Sequence, residues 1–237
     1  MIYILTKSLI NFLNFLKKLI SFLKKLIIKM SKLIILLLLT DIYSSCSFVN
    51  YHMSCSIIIK KTILYDNKMP ILYTFKNYMN EDELTKYKLF TLEHIFPQSL
   101  LNNKESNDMH NIIKTINTLN SNRSNYKYCE DLNINDKNWN SLPYGNYVNH
   151  KDKTFIPNKD SRGFISRAIL YMCYNYNCNY KKVIDKDLLI KWFHNYPPSI
   201  SEKYHNEIVK QMQNKNNMFI SNYNKKNNGI KKFISSL

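Results

Sequence analysis

The fold of this chain depends on the stretch Phe90-Thr-Leu-Glu-His-Ile-Phe96, which is followed directly by Pro97. Its alternating pattern predicts a β-strand with one buried face. Proline ends such a strand because it has no N–H to donate to a neighbouring strand. Downstream, Asp108-Met-His-Asn-Ile-Ile113 predicts a second short strand, and Thr115–Ser121 predicts a helix with Thr115 as its cap. The expected order is therefore strand, polar loop, strand and helix.

The rest of the chain is predicted to be mainly helical. Gly163–Tyr176, Asp187–Phe193 and Ser201–Gln213 carry apolar residues at helical spacing. Residues 56–64 are compatible with a strand or with a short buried helix, whereas residues 127–161 are rich in Asn and Lys and predict a loop. The predicted class is α+β, in a mostly helical single domain.

Composition and charge limit the classes of function. The chain has 237 residues with 45% hydrophobic content, which excludes a wholly disordered protein. Its net charge is +17, and residues 41–237 keep +10 because residues 1–40 hold seven lysines and no acidic residue. A body this basic suits a partner that is a polyanion, since neutralising phosphates releases counterions. The alternative is that the lysines only keep the surface soluble.

Three residues of the central stretch could form a hydrolytic metal site. Glu93 offers a carboxylate and Asn120 an amide oxygen, which are hard ligands for a divalent cation. His94 titrates near neutral pH and could accept a proton from an attacking water. Neighbouring residues of a strand point to opposite faces, so Glu93 and His94 converge only if the strand bends at its end or one acts through a water. A pair of this kind is also common without any function, and His110 or Asn111 could be capping or core residues.

Several motifs occur in one order and together resemble a known family. Leu92-Glu-His-Ile-Phe-Pro-Gln-Ser-Leu100, Asp108-Met-His-Asn-Ile112 and Leu119-Asn-Ser-Asn-Arg-Ser-Asn125 are similar to the bacterial endonuclease I family. Those proteins are periplasmic and secreted non-specific nucleases with a ββα-metal, or His-Me finger, active site. The resemblance continues through Arg162-Gly-Phe-Ile-Ser-Arg-Ala168 and Gln213–Ile220, and so covers residues from about 70 to about 220.

The resemblance implies a role for each matching residue. His94 corresponds to the general base, and Glu93 and Asn120 to the ligands of Mg²⁺, with Mn²⁺ or Ca²⁺ as alternatives. Asn111 corresponds to the orienting asparagine of the finger. Arg123 either holds the helix of the finger or contacts phosphate. The implied fold is a His-Me finger core embedded in a mostly helical domain.

The chain also departs from the family pattern. The loop between Ser99 and Asp108 is short and lacks the arginine that contacts phosphate in long-loop members, and Lys104 is a weak substitute. Arg162 and Arg167 are further candidates for nucleic-acid binding. Arg167 lies within an apolar helix, however, so a structural ion pair with a residue such as Glu202 is the favoured interpretation, because an unpaired buried charge is costly.

The predicted function is hydrolysis of phosphodiester bonds without sequence preference. The substrates would be double-stranded and single-stranded DNA and RNA, and the resemblance implies products with 5′-phosphates. A monomer is expected. The alternative is a basic nucleic-acid- or membrane-binding protein that keeps the nuclease fold without turnover.

The N-terminal residues 1–47 predict a targeting segment. Phe15–Ile28 repeats a seven-residue pattern with paired lysines on one helical face, which is typical of a membrane-surface helix, so membrane contact through residues 1–40 is an alternative. Leu33–Leu39 is a short apolar run followed by small residues, as in a secretory signal peptide, with Met30 as a second candidate start. Secretion or export is therefore expected.

Two further segments complete the predicted organisation. Residues 48–220 would form the catalytic domain, and residues 221–237 a polar, flexible tail. Among the five cysteines, Cys173 and Cys178 are five residues apart, so on one continuous helix they would point about 140° away from each other and could not be bridged.

Overall fold

The structure is a computed structural model that describes residues 60–66, 68–74, 90–130, 137–225 and 227–237. All of them belong to the compact unit Cys55–Leu237. The predictions for residues 1–47 lie outside the described residues. Within the described ranges no helix is both long and apolar enough to cross a membrane.

The predicted strand–strand–helix unit is present. Strand β1, Phe90–His94, pairs antiparallel with strand β2, Ile112–Ile116, and Glu93 lies opposite Ile113. Helix α2, Asn117–Arg123, follows β2 without a loop. The helix does not begin at the predicted cap, because Thr115 belongs to β2 and its hydroxyl donates to the Leu72 carbonyl at 2.7 Å.

The connection between the two strands is more ordered than predicted. A 3₁₀ turn, Gln98–Leu100, is followed by helix α1, Asn103–Ser106. Asn102 and Glu105 form a capping box at the N-terminus of this helix. The predicted strand Asp108–Ile113 begins instead as a 3₁₀ turn, Met109–Asn111. It turns because the Asp108 carboxylate accepts the His110 N–H at 3.0 Å, as in a helix cap.

The segment 127–161, predicted as a loop, contains a four-stranded sheet, so that prediction was wrong. The strands β3, β4, β5 and β6 are Lys127–Tyr128, Trp139–Leu142, Asn146–Asn149 and Thr154–Ile156. They are ordered β3-β6-β5-β4, with β3 parallel to β6 and the other pairs antiparallel. Strands of two to four residues carry too little alternation to be recognised from sequence. Their stability comes from burial of Tyr128, Val148 and Phe155.

Five helices complete the described fold. They are α3, Lys159–Tyr176; α4, Lys186–Asn195; α5, Ile200–Gln213; α6, Met218–Ser221; and α7, Asn228–Ser236. Helix α3 is central, and every residue from Ser161 to Cys173 is buried. Gly163 permits a close crossing with the backbone of Tyr196, because a Cβ at this position would lie 2.3 Å from the Tyr196 carbonyl oxygen.

The combination of two small sheets with these helices confirms the predicted α+β class. The helical segment at residues 60–65 resolves the ambiguity of residues 56–64 for the part that is described. Helix α7 lies within the predicted tail 221–237, where the sequence analysis included no element. Its Ile230 is buried, and Phe233 packs edge-on against Tyr174.

Candidate active site

The end of β1 is held in a bend by Asn111. The Asn111 amide oxygen accepts the Phe96 N–H at 2.7 Å, and its amide nitrogen donates to the Phe96 carbonyl at 2.9 Å. The Asn111 carbonyl also accepts the Ile95 N–H at 3.0 Å. Asn111 is fully buried, so these bonds are shielded from water. Neighbouring residues of a straight strand point to opposite faces, so this bend allows Glu93 and His94 to contribute to one site.

Arg123 ties helix α2 to the same strand end. Its guanidinium donates to the carbonyls of His94 at 3.0 Å and Ile95 at 2.6 Å, and it lies 3.2 Å from the Glu93 carboxylate. It also stacks over the Tyr128 ring at 4.6 Å. Only 1% of Arg123 is exposed, so of the two roles left open for it, the geometry supports holding the helix.

Glu93 is buried, and one of its oxygens is already engaged. The Tyr73 hydroxyl donates to Oε1 at 2.7 Å, and Oε1 is also the atom nearest Arg123. Burial raises the pKa of Glu93, while Arg123 and the Tyr73 hydroxyl oppose that rise. Oε2 has no hydrogen-bond partner among the residues the structure describes, so it is open to a further ligand.

Tyr73 and Tyr128 were missed by sequence reasoning. Their hydroxyl oxygens lie 2.7 Å apart beneath Glu93, and both side chains are fully buried. Burial raises the pKa of both tyrosines, so each keeps its proton and can donate it. No local motif marks them, because they come from separate segments that meet only in the folded chain.

His94 is oriented by the connection between the strands. Its Nε2 lies 3.0 Å from the carbonyl oxygen of Ser106. A carbonyl can only accept, so Nε2 carries the proton and the lone pair is on Nδ1. Burial lowers the pKa of His94, and the positive charges of Lys60 and Arg123 lower it further, while the Ser106 carbonyl opposes them. The neutral ring is the form that can accept a proton.

Asn120 places an amide oxygen at the same strand. Its Nδ2 donates to the Leu92 carbonyl at 3.1 Å, and this bond assigns Oδ1 to the opposite side of the amide. Together with Oε2 of Glu93, it supplies two hard oxygen donors, the type that Mg²⁺ takes while keeping waters or substrate oxygens. The described part of the chain contains no group of three His, Cys, Asp or Glu side chains able to hold a metal.

Asp108 connects the turn that carries Asn111 to the helical part of the domain. This buried carboxylate accepts the hydroxyls of Tyr171 at 3.0 Å and Tyr176 at 2.5 Å, and it pairs with the Lys215 ammonium at 2.9 Å. Those partners belong to α3 and to the segment after α5. Sequence reasoning included the Asp108 motif but not these contacts.

Arg162 and Arg167, the candidate nucleic-acid contacts, are both buried. Arg167 forms a two-bond ion pair with Glu202 at 2.6 and 2.5 Å, which is the structural pairing favoured from the sequence. Arg162 pairs with Glu130 and lies over the Trp192 ring at 5.4 Å. These partners favour a structural role for both arginines.

One lysine belongs to the connection that orients His94, and a second lysine contacts it. Lys104 is exposed on α1, and its backbone N–H bonds to the Asn102 side chain. Lys60 is half-buried, and its ammonium donates to the Asn107 side chain at 3.2 Å, directly after Ser106. Of these two lysines, Lys60 is the one whose positive charge lowers the pKa of His94.

Two comparisons with known proteins place this sequence among nucleases. A protein-family model described as Endonuclease I matches residues 17–224. A periplasmic deoxyribonuclease of Aeromonas hydrophila is 32% identical over 124 residues, which are 50% of this chain and 48% of that protein. The matched region thus spans about half the length of this curated relative.

Proposed function

This chain belongs to the endonuclease I family, and we propose that it is a divalent-metal-dependent endonuclease that hydrolyses nucleic acids without sequence preference. The observation that carries the proposal is the orientation of His94, whose Nε2 is bound to the Ser106 carbonyl while Glu93 and Asn120 offer oxygens at the same strand. The β1–β2–α2 unit then corresponds to the His-Me finger.

The proposed reaction uses His94 as the general base. Its Nδ1 accepts a proton from a water molecule as the water oxygen attacks the phosphorus. The bond from phosphorus to the 3′-oxygen breaks and the leaving 3′-oxygen takes a proton from solvent water, which leaves a 5′-phosphate on one product and a 3′-hydroxyl on the other. Glu93 Oε2 and Asn120 Oδ1 would hold the metal. When bound, Mg²⁺, or alternatively Mn²⁺ or Ca²⁺, stabilises the negative charge on the phosphate and the leaving oxygen.

The proposed substrates are double-stranded and single-stranded DNA and RNA, bound by a monomer. The relative is described as a deoxyribonuclease, which supports DNA. A body with a charge of +10 favours binding through phosphates, and phosphate contacts carry no sequence information. Because Arg162 and Arg167 are buried in ion pairs, exposed lysines must supply most of this contact.

We propose that Lys60 supplies the phosphate contact for which the short loop has no arginine. Replacing Lys60 with alanine should weaken DNA binding and reduce the slope of log K against log salt by about one, because one phosphate contact is lost. Binding in EDTA by fluorescence anisotropy across a salt series measures both. Lys61→Ala, an exposed neighbour, is the control. An unchanged slope for Lys60→Ala together with a reduced slope for Lys104→Ala would assign the contact to Lys104.

The rival function is binding without turnover. A binding protein has no need of a neutral histidine oriented next to two oxygen ligands, and this favours catalysis. Purified full-length protein incubated with supercoiled plasmid and Mg²⁺ should produce nicked and linear forms, and EDTA should stop the reaction. Retarded but intact plasmid at every metal concentration would establish the binding protein instead.

Asn120 gives a direct test of the metal ligands. Asn120→Ala should raise the Mg²⁺ concentration needed for half-maximal cleavage by about 10–100-fold, because it removes one of two protein oxygens. Asn122→Ala on the same helix is the matched control, since the Asn122 amide only donates to the Thr118 carbonyl. A Mg²⁺ curve shifted by Asn122→Ala and not by Asn120→Ala would move the ligand to Asn122.

We propose that the protein is exported through residues 1–47. The periplasmic location of the relative supports export, as does the apolar run Leu33–Leu39. Mass spectrometry of the protein recovered outside the cytoplasm should find an N-terminus within a few residues of Ser47. An active, membrane-bound protein with an intact Met1 would favour the membrane-surface helix instead.

A further inference from the structure

The chain reverses direction at the end of α3, and this changes the relation between two cysteines. Helix α3 ends at Tyr176, and Asn177 has left-handed backbone angles, with φ 55 and ψ 33. The Asn177 N–H donates to the Cys173 carbonyl at 3.0 Å, which is the usual bond of such a cap. Cys178 therefore does not continue the helix, and the opposite directions expected for positions 173 and 178 on a continuous helix do not apply.

The segment after the cap returns to Cys173. Cys178 and the backbone N–H of Tyr180 both lie close enough to the Cys173 thiol to change its pKa, Cys178 raising it and the N–H lowering it. The chain therefore approaches Cys173 on both sides of Cys178, at Asn177 and at Tyr180. Tyr180 is itself fixed, because it is buried and its hydroxyl donates to the Leu237 carbonyl at 2.9 Å. Cys178 is half-buried and packs against the same apolar core as Cys173.

From this reversal we infer that Cys173 and Cys178 are a disulfide site, closing a short loop across the end of α3 when the protein meets a disulfide oxidant. In the reaction the Cys178 thiolate attacks oxidised glutathione and releases one glutathione thiolate. The Cys173 thiolate then attacks the mixed disulfide and releases the second. The two cysteine thiols lose two protons and two electrons. Oxidised glutathione takes up the same two protons and two electrons and becomes two glutathione thiols.

The environment of the two thiols suits a structural disulfide rather than a reactive cysteine. Burial raises the pKa of Cys173 to about 12, with Cys178 as the second cause, and it raises the pKa of Cys178 to about 11. Thiolates are thus disfavoured at neutral pH, so the reduced state gains no stability from ionisation. Cys178 is the more exposed of the two, which makes its thiolate the first to attack an external disulfide.

The position of the loop gives the disulfide a structural consequence. The last turn of α3 carries Tyr176, whose hydroxyl donates to Asp108, and Asp108 caps the turn that ends in Asn111. Closing the loop would fix this turn of α3 and, through Asp108, the support of the bend in β1. This inference does not depend on the proposed activity.

The test is to oxidise purified full-length protein with oxidised glutathione, block the remaining thiols with iodoacetamide, and digest with trypsin. Cys173 and Cys178 fall in one tryptic peptide, residues 168–181, because the chain has no Lys or Arg between Arg167 and Lys181. We expect this peptide to be two hydrogens lighter than its reduced form and free of alkylation. Alkylation of both cysteines, or a cross-link from this peptide to Cys46, Cys55 or Cys129, would overturn the inference.

Thermal unfolding supplies a second measurement with matched variants. Oxidised protein should melt about 4–8 °C above protein reduced with dithiothreitol, the shift expected for a short closed loop in a chain of this size. Cys129→Ser should keep this difference and Cys178→Ser should lose it. The Cys178 variant is preferred to a Cys173 variant because Cys178 is less buried. An equal redox shift in the Cys178→Ser protein would contradict the assignment.

Discussion

Replacing His94 with alanine is expected to slow plasmid cleavage by a factor of about 10²–10⁴ while DNA binding stays nearly intact. The variant loses the nitrogen that accepts the proton from water, but it loses no phosphate contact. Initial rates of nicking at saturating Mg²⁺ measure the first effect, and anisotropy with labelled DNA in EDTA measures the second.

The control for this variant is His194→Ala. His194 is exposed near the end of α4, and its backbone carbonyl accepts the Tyr223 hydroxyl at 2.9 Å. The control should cleave at the wild-type rate. A His94→Ala protein that still cleaves nearly as fast as wild type would show that another group accepts the proton, and the assignment of His94 would be wrong.

Replacing Glu202 with alanine is expected to lower the free energy of unfolding by about 3–5 kcal/mol. Arg167 is 1% exposed and forms two hydrogen bonds to Glu202, so the variant leaves a buried guanidinium charge without its carboxylate. Urea unfolding followed by tryptophan fluorescence measures the loss. A Glu202→Ala protein that does not fold at all would also show that the ion pair is needed for stability.

Two comparisons separate this pair from surface charge. Glu207 lies on the same helix, is exposed, and contacts Lys210 at 3.6 Å, so Glu207→Ala should change the free energy of unfolding by less than about 1 kcal/mol. The double variant Arg167→Met with Glu202→Leu removes both charges and should recover most of the stability lost in Glu202→Ala. Equal losses for Glu202→Ala and Glu207→Ala would show that the ion pair is not a major stabilising contact.

Sequence reasoning identified the elements whose signals are local. Strand β1 alternates and ends before Pro97, and α3, α4 and α5 carry apolar residues at helical spacing, so each was predicted close to its observed position. The four-stranded sheet was missed because its strands are only two to four residues long. The start of α2 was misplaced because Thr115, a good cap by type, finds its partner in the distant Leu72 carbonyl.

The sequence by itself determined the family and the α+β class, because these depend on residue types in a fixed order, and it predicted the set Glu93, His94 and Asn120. Only the tertiary structure decided how the set is held. It showed that Asn111 bends the end of β1, and that Arg123 holds the helix from a buried position. It also brought Tyr73 beneath Glu93. These contacts join segments that are far apart in the chain. Buried polar groups need hydrogen-bond partners, and no local sequence pattern specifies which distant residue supplies each partner.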